Sequence, residues 1–113
     1  MRKQSKRRRL TKNQPQRGMI VGVAWHTPEQ FERLKTVADD ADRLDDTYDD
    51  WLNNASRLVR KLTKQGLQVV KTPFDVDEWL AWCEESGEPL NGESRSRFTS
   101  MKTADRDKAD SPP

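Results

Sequence analysis

The chain has 113 residues, of which 32% are apolar and 35% charged. That composition leaves room for one domain with a small core. The longest apolar run, Met19 to Trp25, is seven residues, which excludes a membrane-spanning helix of roughly 20 apolar residues. The net charge of +2 hides an asymmetry. Residues 2–17 hold eight Lys or Arg and no acid, while the rest of the chain carries 13 basic and 19 acidic residues, a net of −6.

Residues 1–18 show no apolar periodicity. Their Gln, Lys, Arg and Asn side chains bury too little surface to offset an ordering cost of about 1–2 kcal/mol per residue, so this stretch reads as a disordered basic arm. Lys3, Lys6, Arg7, Arg8, Arg9, Lys12 and Arg17 form a cluster of the kind that meets phosphates through counterion release. It has no interleaved aromatic to stack on bases. The inert alternatives are a solubilising extension, or a natural start at Met19, where the apolar pattern begins. Arg7-Arg8-Arg9-Leu10-Thr11-Lys12 brushes a twin-arginine signal, but the apolar run after it is short and His26-Thr27-Pro28-Glu29 replaces a small-residue cleavage site. Export is therefore rejected. Cys83 is the single cysteine, which excludes an intramolecular disulfide and implies a reducing compartment, the cytoplasm.

Met19 to Trp25 reads as a buried strand, apolar and rich in β-branched residues. Thr27-Pro28-Glu29-Gln30 is a helix start, with Thr27 as N-cap, Pro28 in the first turn and Gln30 placed for a capping box. Phe31, Leu34, Val37 and Ala38 give that helix its apolar side. Ala41, Leu44, Tyr48, Trp51, Ala55, Leu58 and Leu62 then recur at alternating spacings of three and four, which predicts one long amphipathic helix from Ala41. Acids crowd its first half and Arg57, Arg60, Lys61 and Lys64 its end, as the helix dipole favours. Gly66 is its C′ residue, and a break falls near Asp39-Asp40.

Leu67 to Thr72 reads as a second strand ended by Pro73. Asp75 caps a third helix with Glu78 at N3, Val76, Trp79, Leu80 and Cys83 form its apolar face, and Gly87 stops it. Asn91 caps a last short helix holding Phe98 and Met101, and a free tail begins at Thr103. The expected fold class is α+β, mainly helical, in the order β-α-α-β-α-α. A small two-stranded sheet is packed by helices, and its strands are able to pair in parallel through a helical crossover. The domain division is an arm at 1–18, a folded domain at 19–102 and a tail at 103–113. A two-stranded sheet is marginal alone, so the core calls for the helices or a second copy of the chain to complete it.

Val21, Ala24 and Trp25, then Thr47, Tyr48, Asp50 and Trp51, then Trp82, Cys83 and Gly87 carry a resemblance to small bacterial proteins of unassigned function. It covers residues 19 to about 100, implies a shared fold, and brings no activity or catalytic residues with it.

No motif points to catalysis. Asp39, Asp40, Asp42, Asp45, Asp46, Asp49 and Asp50 invite a hard cation, but the Gly-bearing turn and closing Glu of a calcium loop are missing, so a solvated helix face is the expectation. Cys83 and His26 are a thiol and an imidazole that no spacing brings together; Cys83 reads as a buried structural thiol and His26 as a strand-end residue. No phosphate-cradling glycine loop is present, so no cofactor or metal is expected. Trp82 falls at the edge of its helix face and is a candidate interface anchor. The expected function is a non-enzymatic interaction or regulatory module that holds a protein partner or a second copy of itself. The alternative is a nucleic-acid-associated protein that uses the arm.

Overall fold

The computed structural model describes residues 19–110, with side chains through Arg106. The basic arm of residues 1–18 lies outside the described residues. Strand β1 (Ile20–Trp25) is followed by helix α1 (Pro28–Val37), a 3-10 turn (Ala41–Arg43) and helix α2 (Tyr48–Lys64). Strand β2 (Gln68–Pro73) then leads to helices α3 (Val76–Ser86) and α4 (Gly92–Asp110). The fold is α+β and mainly helical, as expected.

Local chemistry sets most of the boundaries. Thr27, Asp75 and Asn91 accept hydrogen bonds from the backbone N–H groups of Gln30, Glu78 and Ser94, each satisfying a donor that the helix leaves free. The side chain of Gln30 does not close a capping box; its Oε1 accepts from the N–H of Val76 at 2.8 Å and ties α1 to α3. At the end of α2, Gly66 takes φ 92°. The N–H groups of Gly66 and Leu67 there donate to Thr63 and Leu62, a complete Schellman motif.

The long helix expected from Ala41 is corrected. The apolar spacing runs through a break: Ala41–Arg43 is one 3-10 turn, Leu44 is extended, and α2 begins at Tyr48 with Thr47 as cap. Thr47 Oγ1 accepts from the N–H of Asp50 at 3.0 Å, and that local bond starts the helix nearly two turns later than periodicity alone suggests. The break near Asp39-Asp40 is present, pinned by bonds in both directions between Asp39 and the backbone of Leu90.

β1 and β2 pair in parallel, with Gly22 opposite Val70 and Ala24 opposite Thr72. Side chains alternate across the strands, so helices cover both faces. On one face Trp25 meets Trp51 of α2 edge-on, with centroids 5.1 Å apart. On the other, Ala24 packs against the core of Leu34, Phe74, Val76, Trp79, Cys83 and Phe98. On that same face α4 lies against Gly22, where a Cβ would come within 1.9 Å of Thr103 Oγ1. Thr103 is buried and shares a 2.6 Å hydroxyl–hydroxyl bond with Thr72. The short last helix and the free tail from Thr103 are therefore corrected: this packing carries α4 on to Asp110.

β1 is half-buried along its whole length rather than fully buried, because no described residue pairs with one edge of the sheet.

Candidate functional site

The bonding phase of the sheet defines that edge. The carbonyls of Met19 and Trp25 accept from the N–H groups of Gln68 and Phe74. By the alternation of a parallel ladder, Met19, Val21, Val23 and Trp25 turn their backbone groups to β2. Ile20, Gly22 and Ala24 turn theirs outward. A groove of about 300 Å³ runs along this edge, lined by Val21 to Ala24, by Leu58 and Leu62 of α2, and by Gly92, Arg95, Ser96 and Thr99 of α4. Leu58 is 42% exposed, so the apolar stripe of α2 extends past what the sheet covers. Thr99 is buried, and its Oγ1 has no hydrogen-bond partner among the described residues.

The far edge of the sheet differs. In the same phase Val69, Lys71 and Pro73 of β2 face outward. An exposed Lys and a proline without an N–H are standard guards of an edge strand. β1 carries no charge and no proline.

Arg95 fixes the α4 side of the groove. Its guanidinium pairs with Asp40 through two bonds of 2.9 and 3.0 Å, and Asp40 also accepts from the N–H of Gly92. The Arg95 hydrogen bond holds the Asp40 carboxyl below the usual carboxylate range, against the opposing effect of burial. Asp39 and Asp40 are thus structural anchors for the start of α4 and not members of a solvated helix face. Asp45 accepts from Asn54 Nδ2 at 2.9 Å; only Asp49 and Asp50 stand in the first turn of α2. Among the described residues no group of three or more His, Cys, Asp or Glu side chains is placed to hold a metal ion.

His26 is buried among the rings of Phe31, Trp51 and Phe74, with centroids 6.2, 4.8 and 5.2 Å away. Its Nδ1 has no partner among the described residues. Burial first, and the positive charge of Arg95 second, lower its pKa to about 4. Cys83 is buried elsewhere in the core, where its thiol donates to the Pro89 carbonyl and to Ser94 Oγ. The two groups share no hydrogen bond.

A family model described as a domain of unknown function (DUF8829) matches residues 5–109. The chain belongs to this family. The match takes in every element from β1 to α4 and most of the basic arm. No curated protein and no solved structure matches the chain.

Two further surfaces complete the DUF8829 domain. Trp82 is half-buried, tilted against Phe98 at 5.6 Å and packed on the core cluster. At the end of α2, exposed Arg57, Arg60, Lys61, Lys64 and Gln65 rim a shallow concavity of about 560 Å³. The body is net acidic, but its charge is segregated along α2, with acids in the first turn and bases in the last. The arm residues Lys3, Lys6, Arg7, Arg8, Arg9, Lys12 and Arg17 lie outside the described residues. Among the described residues, no helix is long and apolar enough to cross a membrane. The β1 edge escaped the sequence reading because it exists only once both faces of the sheet are covered.

Proposed function

We propose that this protein is a non-catalytic interaction module whose working surface is the open edge of β1 between α2 and α4. The observation that carries the reading is an unguarded apolar edge strand set in a groove. An added strand there takes main-chain bonds from Ile20, Gly22 and Ala24 and places side chains against Leu58 and Leu62. Catalysis finds no comparable support. Enzyme sites gather perturbed acids and bases in a cleft, whereas the shifts of His26 and Asp40 follow from core burial and a structural ion pair.

A photo-crosslinking side chain placed at Leu58 or Ser96 in cells is expected to give a discrete protein adduct. The same probe at the exposed Glu85 of α3 is expected to give none. Adducts at all three positions alike, or at none, would remove the reading.

The basic concavity on α2 supports a second reading, contact with nucleic acid by the arm and the end of α2 together. Binding of the full chain to an arbitrary duplex should then be independent of sequence and fall with salt, with a log–log slope near −0.9 for each phosphate neutralised. Replacing Arg60 and Lys64 by Glu, or Arg7, Arg8 and Arg9 by Ala, should each flatten that slope. Absence of binding at low salt rejects this second reading and leaves the first untouched.

A further inference from the structure

We infer that the occupant of the groove is a second copy of this chain, joined by antiparallel pairing of β1 with β1 about a two-fold axis. The inference rests on the reading of the β1 edge as the working surface and names its partner.

The first support is the strand. β1 turns an alternate set of backbone groups, those of Ile20, Gly22 and Ala24, to the open side. The opposite edge of the sheet is guarded by Lys71 and Pro73, so growth of the sheet is allowed on one side only. Pairing through β1 makes a four-stranded sheet in the order β2-β1-β1-β2, with the guarded strands outermost. A sheet of that size is independently stable where a two-stranded one is marginal.

The second support is the helix that flanks the groove. A two-fold axis perpendicular to such a sheet sets the two α2 helices side by side and antiparallel on one face. Asp50, Asn54, Leu58 and Lys61 recur at spacings of four, four and three, so they form one strip on α2, and Leu58 places that strip on the groove side. The strip is self-complementary. In the antiparallel arrangement Asp50 of one copy meets Lys61 of the other, twice by symmetry, and exposed Leu58 lies near the centre between them. A strip with an acid at one end and a base at the other suits an isologous interface, in which residue i meets residue j and j meets i. A third observation concerns the α4 side, where Thr99 Oγ1 is buried at the groove without a partner among the described residues.

Sedimentation of the full chain should show a concentration-dependent dimer. Asp50→Lys alone and Lys61→Glu alone should each weaken it on the order of tenfold, since each turns two exposed attractions into repulsions. Mixing those two variants, or combining both changes in one chain, should restore the dimer. Ala24→Pro removes an outward N–H without touching the β2 ladder and should abolish it while the helical signal remains. If Ala24→Pro does not fold, the charge variants decide the question alone. A chain monomeric at every accessible concentration, or a dimer indifferent to both charge variants, overturns the inference. A monomer that still forms the Leu58 crosslink to another protein would overturn self-pairing and leave the β1 edge reading in place.

Discussion

Trp79→Ala is expected to cost about 3–5 kcal/mol, the range for emptying an aromatic site in a packed core. Trp79 has no exposed surface. Its ring lies 5.6 Å from that of Phe74, its indole N–H donates to Ser94 Oγ at 3.2 Å, and the Arg95 guanidinium stands 5.7 Å from its ring. The residue therefore joins α3, the start of α4 and the end of β2 through one side chain. Removing it leaves a cavity, takes one of the donors from the Ser94 hydroxyl and loosens Arg95, which lines the groove. A domain of this size has roughly 5–15 kcal/mol of stability in total, so the loss is a large share of it. Urea denaturation should show the midpoint fall with an unchanged slope. Trp82→Ala should cost clearly less, because Trp82 is half-buried. Equal losses at the two tryptophans would contradict the placement of the core.

Features written in neighbouring residues were legible before the structure. Thr27, Asp75 and Asn91 act as caps, and Gly66 and Gly87 end their helices at φ 92° and 70°. Each depends on a few adjacent positions. The parallel pairing of two strands across a helical crossover was legible for a similar reason, since two apolar β-branched runs were separated by helical patterns. The start of α2 is not legible from periodicity, because the alternating spacing of Ala41, Leu44 and Tyr48 imitates a helix. The competing signal, Thr47 followed three residues later by Asp50, is a cap pattern and was present in the sequence.

Long-range chemistry was not legible. The Asp40–Arg95 pair spans 55 positions, and nothing local distinguishes Asp40 from the other acids around it. Thr103 looked like the start of a tail because its burial depends on Gly22, a residue whose missing side chain gives α4 its seat on the strand. The candidate site is of the same kind. Val21 to Ala24 read as a core strand, and only the bonding phase with β2 shows which of their backbone groups point outward. Leu58 and Lys61 could be assigned to a helix from the sequence, but not to the side of it that borders an open edge.

Acidification should destabilise this protein through one residue before its carboxylates respond. His26 is the single histidine of the chain. Its pKa falls from 6.5 to about 4 on burial, so between those values the unfolded chain binds a proton that the folded chain does not. Stability rises with pH wherever the unfolded state holds more protons. The contribution of His26 is thus fully present above pH ~6.5 and is lost as the pH falls toward 4. The rate of loss is about 1.4 kcal/mol per pH unit. Over the whole window this amounts to about 3 kcal/mol. Asp40 acts in the same direction but lower down. Its depressed pKa contributes stability that is present above its unfolded value and lost only as the pH falls through the folded one. The two effects therefore separate along the pH axis. His26→Phe keeps an aromatic ring among Phe31, Trp51 and Phe74, and it removes a nitrogen that has no hydrogen-bond partner among the described residues. Urea midpoints of the His26→Phe chain should be nearly flat from pH 6.5 to 4.5, where those of the natural chain decline steadily. A decline of equal slope in both would show that the imidazole is not the group that titrates.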